Sequence, residues 1–185
     1  AGPRGDVRLL QRLQPGVLGD DEMNPFWYKL PAAPLTASKG HRRKPTLAKL
    51  SQHLDSLQSQ ADPLLIEGAG GLAVPIGKDF TWEQLFQKRH CPVLIAAQNK
   101  LGVLNHALLT VARLRELGIK KMGICLMNTR QTRGVAENDQ VLREFCEDIP
   151  VHKLPFLGEK ASNLARIRAD QKKIKKTLDE ILKIL

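Results

Sequence analysis

The stretch Pro63-Leu64-Leu65-Ile66-Glu67-Gly68-Ala69-Gly70-Gly71 sets a short apolar run against one carboxylate and three glycines. Three large aliphatic residues in succession suit a parallel strand buried on both faces, and the glycines that follow end it abruptly. The run therefore predicts a strand over 64–66 with an acidic turn at its carboxyl end. Without a Cβ, glycines let backbone N–H groups converge on an anion, and Glu67 is suited to holding a Mg²⁺ that neutralises the same charge. Taken alone, the motif is equally a glycine turn after a buried strand, with Glu67 at a loop edge. Its surroundings have to decide.

Working outward, apolar runs alternate with longer amphipathic segments. Residues 92–97 (PVLIAA), 122–127 (MGICLM) and 151–154 (VHKL) read as three further strands. Between them, 105–117 carries Ala107, Leu108, Val111 and Leu114 at helical spacing and is closed by Gly118, and 136–146 repeats the pattern. The last segment, 164–185, has Ile167, Ile174, Leu178, Ile181, Leu182 and Leu185 along one side with lysines opposite. Upstream the pattern is less regular, with helices over 7–13 and 46–57 around a proline-punctuated loop at 24–34. Strand-helix alternation of this kind predicts an α/β fold, a mostly parallel sheet flanked by helices. Ligands of such sheets gather beyond the carboxyl ends of the strands. Polar or turn residues follow every predicted strand: Glu67 to Gly71, then Gln98-Asn99-Lys100, then Asn128-Thr129, then Pro155. Four strand ends are expected on one rim, which favours the anion-binding reading of Glu67.

The bulk numbers narrow the class. A chain of 185 residues, 42% hydrophobic, is long enough to bury a core, and one domain over 1–185 is expected. No run approaches the ~18 consecutive apolar residues that a membrane helix needs. Residues 1–7 have the character of neither a secretory signal nor a transit peptide. Cys91, Cys125 and Cys146 lack CxxC spacing, so neither a disulfide framework nor a zinc site is indicated, and a cytoplasmic protein is expected. The net charge of +10 and pI near 9.8 suit a polyanionic ligand. The basic clusters at 41–44 and 166–176 contain no aromatics to stack on bases, which argues against nucleic acid as the partner.

EGAGGLAVPI (67–76), NKLGVLNHALLT (99–110) and CLMN (125–128), in that order and spacing, resemble the dethiobiotin synthetase family. The loop NPFWYKLPAAPLTAS (24–38) and the late segment LPFL (154–157) are similar to corresponding parts of it. The resemblance implies a P-loop NTPase-like fold and an ATP- and Mg²⁺-dependent ligase of biotin biosynthesis. Its substrates would be 7,8-diaminononanoate, CO₂ and ATP, its products dethiobiotin, ADP and phosphate, and its assembly a homodimer. By residue match, Glu67 and Asp6 would be Mg²⁺ ligands, and Gly68, Ala69 and Gly70 would face the phosphates. Asn128 and Thr129 would contact adenine, with Leu154, Pro155 and Phe156 lining the base pocket. Val103, Leu104 and Asn105 would bind the carboxylate of the neighbouring subunit's substrate through their backbones. That role has a physical basis, because a helix-opening turn presents free N–H groups and the positive end of the helix dipole. Asn105 is equally an ordinary N-cap by its residue type. His106 reads as structural.

One departure matters. The family opens with a strand, a GxxxxGK[ST] loop and then a Lys-Pro segment that supplies a catalytic lysine, and no such opening unit with its phosphate loop occurs in the 185 residues. No catalytic residue is therefore assigned. Two readings stay open: a chain without its first βα unit, about 50 residues by the usual length of such a unit, or a P-loop-less nucleotide-binding or regulatory paralogue without catalytic activity. Phosphoryl transfer depends on positioning and charge neutralisation, so a protein truly without the loop should turn over very little.

Overall fold

The computed structural model describes residues 4–68, 70–130, 134–159 and 163–184. The chain divides into two compact units, Ala1–Arg89 and His90–Leu185.

The first unit contains five helices among its described residues: α1 (Gly5–Leu13), α2 (Asp20–Met23), α3 (Pro34–Ala37), α4 (Leu47–Gln58) and α5 (Trp82–Arg89). Val7, Tyr28, Ala37, Leu54, Leu57, Ile76, Phe80 and Leu85 form its buried apolar set. Thr46 caps α4, its Oγ1 accepting from the Lys49 N–H at 3.2 Å. Arg89 ties α5 to α4 by donating to the Ser51 carbonyl at 2.6 Å and pairing with Asp55 at 2.9 Å. Helix α5 lay outside the sequence expectation, although its signal is legible in Thr81-Trp82-Glu83-Gln84. The Thr81 N–H donates to Gln84 Oε1 at 2.8 Å and the Glu83 N–H to Thr81 Oγ1 at 3.2 Å, a threonine-to-glutamine form of the capping box.

The expected strand at 64–66 does not form. Those residues pair with no neighbouring strand, and Leu65 is 82% exposed. Apolar character sets which side chains seek cover, whereas a ladder also needs an adjacent edge, and the described residues supply none to this segment.

The second unit is the α/β part: β1 (Val93–Asn99), α6 (Val103–Glu116), β2 (Met122–Asn128), α7 (Asn138–Phe145), β3 (Val151–Leu154) and α8 (Leu164–Leu182). The sheet has the order β1-β2-β3, all parallel. Val93 pairs with Met122 and Asn99 with Asn128 at the two ends of the first ladder, while Ile124 pairs with Val151 and Met127 with Leu154 in the second. Residues 122–126 are all buried, as a central strand covered on both faces requires. Helix α6 buries Val103, Ala107, Val111 and Leu114, and it packs against β1 and α7. Its last turn closes with Gly118 N–H to Arg115 O at 2.9 Å and Ile119 N–H to Leu114 O at 3.0 Å.

Helix α8 lies against β3, but its covered stripe differs from the expected one. Asp170 is buried within it, while Leu178 and Leu182 are 37% and 64% exposed. Leu185 lies outside the described residues. The Asp170 carboxylate is accommodated by ion pairs to Arg166 at 2.6 Å and Lys173 at 3.0 Å, both within reach along the same helix. Hydrogen bonding from Lys173 holds the carboxyl below its ordinary range, with the Arg166 charge adding to the effect.

Beyond α8, Ile184 packs on β2 at Gly123, where an added Cβ would lie 3.0 Å from Ile184 Cδ1 and 3.5 Å from Leu94 Cδ1. Gly123→Val is therefore expected to destabilise this unit by about 1–3 kcal/mol through overpacking. A lowered urea midpoint is the expected reading, and an unchanged one would contradict the close approach.

Candidate functional site

In the first unit, Glu67 and Gly68 are both exposed. Gly68 packs on the Trp82 indole, whose nearest atom would be 3.5 Å from an added Cβ. Gly70 has φ +84°, and a Cβ there would fall 2.7 Å from Val74 Cγ2. Only glycine makes this turn without strain. Ala69 lies outside the described residues. Glu67 forms neither an ion pair nor a side-chain hydrogen bond with any described residue, and the same holds for Asp6, exposed in the first turn of α1. An unpaired carboxylate of this kind suits Mg²⁺, which keeps several waters and takes only one or two protein ligands beside phosphates. Among the described residues, no group of three or more His, Cys, Asp or Glu forms a complete cage.

In the second unit, the carboxyl ends of three strands do form a rim. Asn99 ends β1 and Asn128 ends β2, directly opposite each other in the ladder. Asn128 and Thr129 are half-buried. Because Met127 pairs with Leu154, the 154–156 segment leaves the sheet beside Asn128. There it exposes Pro155 and 42% of Phe156, while Met127 is 39% exposed. An amide edge beside apolar and aromatic surface is a chemically sensible receptor for a flat heterocycle. The loops beyond β2 and β3 are also bridged, by an Arg130–Glu159 ion pair of 3.1 Å.

Two features of this rim were not anticipated. Asn99 appeared only as a polar residue after a strand, yet it is the last strand residue and is 1% exposed. The amides of Asn99, Asn128 and Asn138 form a connected chain. The second feature is the buried Asp139, which accepts from Lys153 at 2.7 Å and Arg143 at 2.9 Å and so joins α7 to β3. Burial pushes the Asp139 carboxyl up, but the Lys153 and Arg143 bonds outweigh it and hold the group below its ordinary value of 3.8. Its stabilising contribution is thus complete above that value and lost as pH falls through the lower folded one. Asp139→Asn should cost about 1–3 kcal/mol at pH 7, with the gap to wild type narrowing at pH 3. Urea unfolding at both pH values measures this, and a gap that stays constant would contradict it.

The helix-opening turn is corrected in one respect. Helix α6 begins at Val103, and its N-cap is Gly102, with φ +92°, so Asn105 lies inside the first turn and is not the cap. The Val103 N–H is used by Lys100 O at 3.1 Å and the His106 N–H by Gly102 O at 3.1 Å. Leu104 and Asn105 hold the first-turn N–H groups between them, where a helix has no partner of its own to offer. Val103 is buried, Leu104 half-buried and Asn105 exposed.

Cys125 and Cys146 are buried, and burial pushes both thiols up. Among the described residues, no helix is long and apolar enough to cross a membrane.

A parallel sheet flanked by helices, with its polar rim at the strands' carboxyl ends, is the arrangement of open α/β nucleotide-binding folds, and the family match places it in the P-loop NTPase-like class. A family model described as an AAA domain matches residues 4–160. The chain is similar to the ATP-dependent dethiobiotin synthetase of Bacillus licheniformis, with 33% identity over 158 residues, 84% of this chain and 65% of the relative. It is 30% identical to that of Bacillus velezensis over 158 residues, again 84% and 65% of the two lengths. With that of Akkermansia muciniphila the identity is 32% over 160 residues, 85% of this chain and 72% of the relative. The chain belongs to the AAA domain family and, within it, to the dethiobiotin synthetases. It spans about 65% of the length of the two Bacillus relatives.

Proposed function

We propose that the protein is a dethiobiotin synthase, one α/β nucleotide-binding domain over 1–185 that acts in the cytoplasm as a homodimer. In this reading, CO₂ adds to one amine of 7,8-diaminononanoate as a carbamate and ATP phosphorylates the carbamate oxygen. The neighbouring amine then displaces phosphate to close the ureido ring, and ADP leaves. Asn128 and Thr129 take the adenine edge, with Leu154, Pro155 and Phe156 against its face. Gly68, Ala69 and Gly70 offer backbone amides to the phosphates. Glu67 and Asp6 hold Mg²⁺, which supplies charge neutralisation for the triphosphate. Leu104 and Asn105 offer N–H groups to the substrate carboxylate of the other subunit, beside Val103, whose own N–H closes the turn onto Lys100 O. The exposed Leu101 in the turn before α6 and Leu109 on the helix, at 94% and 62%, support an interface at this end of α6.

The observation that carries this reading is the half-buried Asn128 beside an exposed Phe156 at the strand ends of a chain in this family. The test is phosphate release by the full chain as it is encoded, given diaminononanoate, bicarbonate and MgATP. Release that does not depend on the diamine would overturn the proposal. A second reading, a P-loop-less nucleotide-binding or regulatory paralogue, is favoured by the missing GxxxxGK[ST] motif. Finding that motif upstream in the same reading frame removes it.

A further inference from the structure

Asn99 is buried to 1% exposure, yet all of its amide hydrogens are used. Its Nδ2 donates to Asn128 Oδ1 at 2.9 Å and to the Val135 carbonyl at 3.2 Å, while its Oδ1 accepts from Asn138 Nδ2 at 2.8 Å. Such an amide has one workable orientation. Turning it over would set its oxygen against two acceptors and its NH₂ against a donor, at a position closed to bulk solvent.

The constraint passes to Asn128. With Asn128 Oδ1 receiving a hydrogen from Asn99, reversing the Asn128 amide would bring two NH₂ groups together. Its outward edge therefore keeps a fixed order: one lone pair left on Oδ1, then the Nδ2 hydrogens. A 6-amino purine presents a donor at its 6-position beside a ring-nitrogen acceptor, which matches that order. A 6-oxo purine sets an acceptor against Oδ1. An unconstrained asparagine would relieve this mismatch by rotating about its last bond, at little cost. Specificity of this kind comes from blocking the alternative as much as from making the correct bond.

We infer that Asn99 is a positioning residue that locks the Asn128 amide, through the Asn99–Asn128–Asn138 chain, in the orientation that accepts a 6-amino purine and rejects a 6-oxo purine. The inference rests on the proposed role of Asn128 at the base. It adds a residue that never touches the nucleotide and a selectivity that Asn128 by itself could not enforce.

The test is calorimetric titration of the full chain with MgATP and with MgITP, which share ribose and triphosphate and differ at the 6-position. Wild type is expected to bind ATP at least about tenfold more tightly. Asn99→Asp keeps the shape but replaces the donor facing Asn128 with an acceptor, so the Asn128 amide should turn over and the preference should fall to about unity or below. Asn138→Asp acts from the half-buried far end of the chain and sets a charged acceptor, in place of a donor, against Asn99 Oδ1, which favours turning the Asn99 amide over in spite of its Val135 bond. An acid at the start of α7 is compatible with the helix dipole, so this second variant should fold, and the same loss of preference is expected. A merely structural role would weaken both nucleotides by one factor and leave their ratio unchanged, which overturns the inference. Equal wild-type affinities would do the same. Asn128→Ala separates the two levels. If it abolishes the preference while both Asp variants retain it, Asn128 reads the base and the inference about Asn99 fails. If Asn128→Ala leaves ATP affinity and preference untouched, the base-reading role fails and the inference falls with it.

Discussion

Glu67→Gln is expected to reduce phosphate release by about 100-fold or more and to raise the Mg²⁺ concentration needed for half-maximal rate. The substitution keeps the side chain's size and removes its charge. Glu67 is exposed and unpaired among the described residues, so no native ion pair is broken and stability should hold within about 0.5 kcal/mol. Loss of turnover then reports on metal and phosphate binding, because preorganised charge at a reacting phosphoryl group commonly contributes 10²–10³ in rate. The split between rate and stability makes the prediction specific. A variant with unchanged Mg²⁺ dependence would remove Glu67 from the metal site, and one that unfolds would show that the glycine turn needs the carboxylate for itself. Asp6→Asn should move the Mg²⁺ requirement in the same direction.

The second large effect belongs to the sheet. Leu126 is fully buried on the central strand, whereas Met127, one residue on, is 39% exposed at the rim. Leu126→Ala is expected to cost about 2–5 kcal/mol, the lost transfer energy plus a cavity that the rigid ladder cannot close. Against the ~5–15 kcal/mol of an ordinary domain this is a large share, and unfolding should begin at clearly lower urea. Met127→Ala should cost under about 1.5 kcal/mol, since its side chain is already partly in water. Equal costs at the two positions would mean that the strand is not covered as described. The comparison also separates stability from binding, because only Met127 lies beside Asn128 where a ligand could feel its loss.

Much of the second unit was legible from local pattern. The strand expected at 151–154 and the two at 92–97 and 122–127 recur as β3, β1 and β2 with shifts of at most two residues. The runs at 92–97 and 122–127 are apolar almost throughout, and in β2 that pattern corresponds to continuous burial over 122–126. Helix α6 starts two residues before the expected position because Gly102, not a polar side chain, caps it. The stretch at 64–66 has the same apolar look as the strands but no ladder, since pairing depends on a neighbour that a local pattern does not contain. Helix α5 was missed despite its capping box, because eight residues carry too little periodicity to stand out.

The candidate site divides along the same line. Asn128, Thr129 and Pro155 were singled out because turn residues that follow a parallel strand fall at its ligand-binding end, whatever the rest of the fold does, while Leu154 and Phe156 were implied by the family resemblance. Asn99 was not distinguished from Gln98 or Lys100, although Gln98 is exposed and Asn99 is buried. Nor did any local signal mark Asp139 as a buried carboxylate between Lys153 and Arg143.

By itself, then, the order of residues determined the α/β class, the sequence of strands and helices in the second unit, the family, and the residue types offered at each strand end. These follow from the side-chain spacing of near neighbours, which acts wherever the segment ends up. Tertiary structure alone decided which of those polar groups meet. Asn99 reaches Asn128 across 29 residues and Asn138 across 39, through ladder register and the crossover into α7. Hydrogen bonding is short-ranged and directional, so groups far apart in the chain act on one another only after the sheet has aligned them.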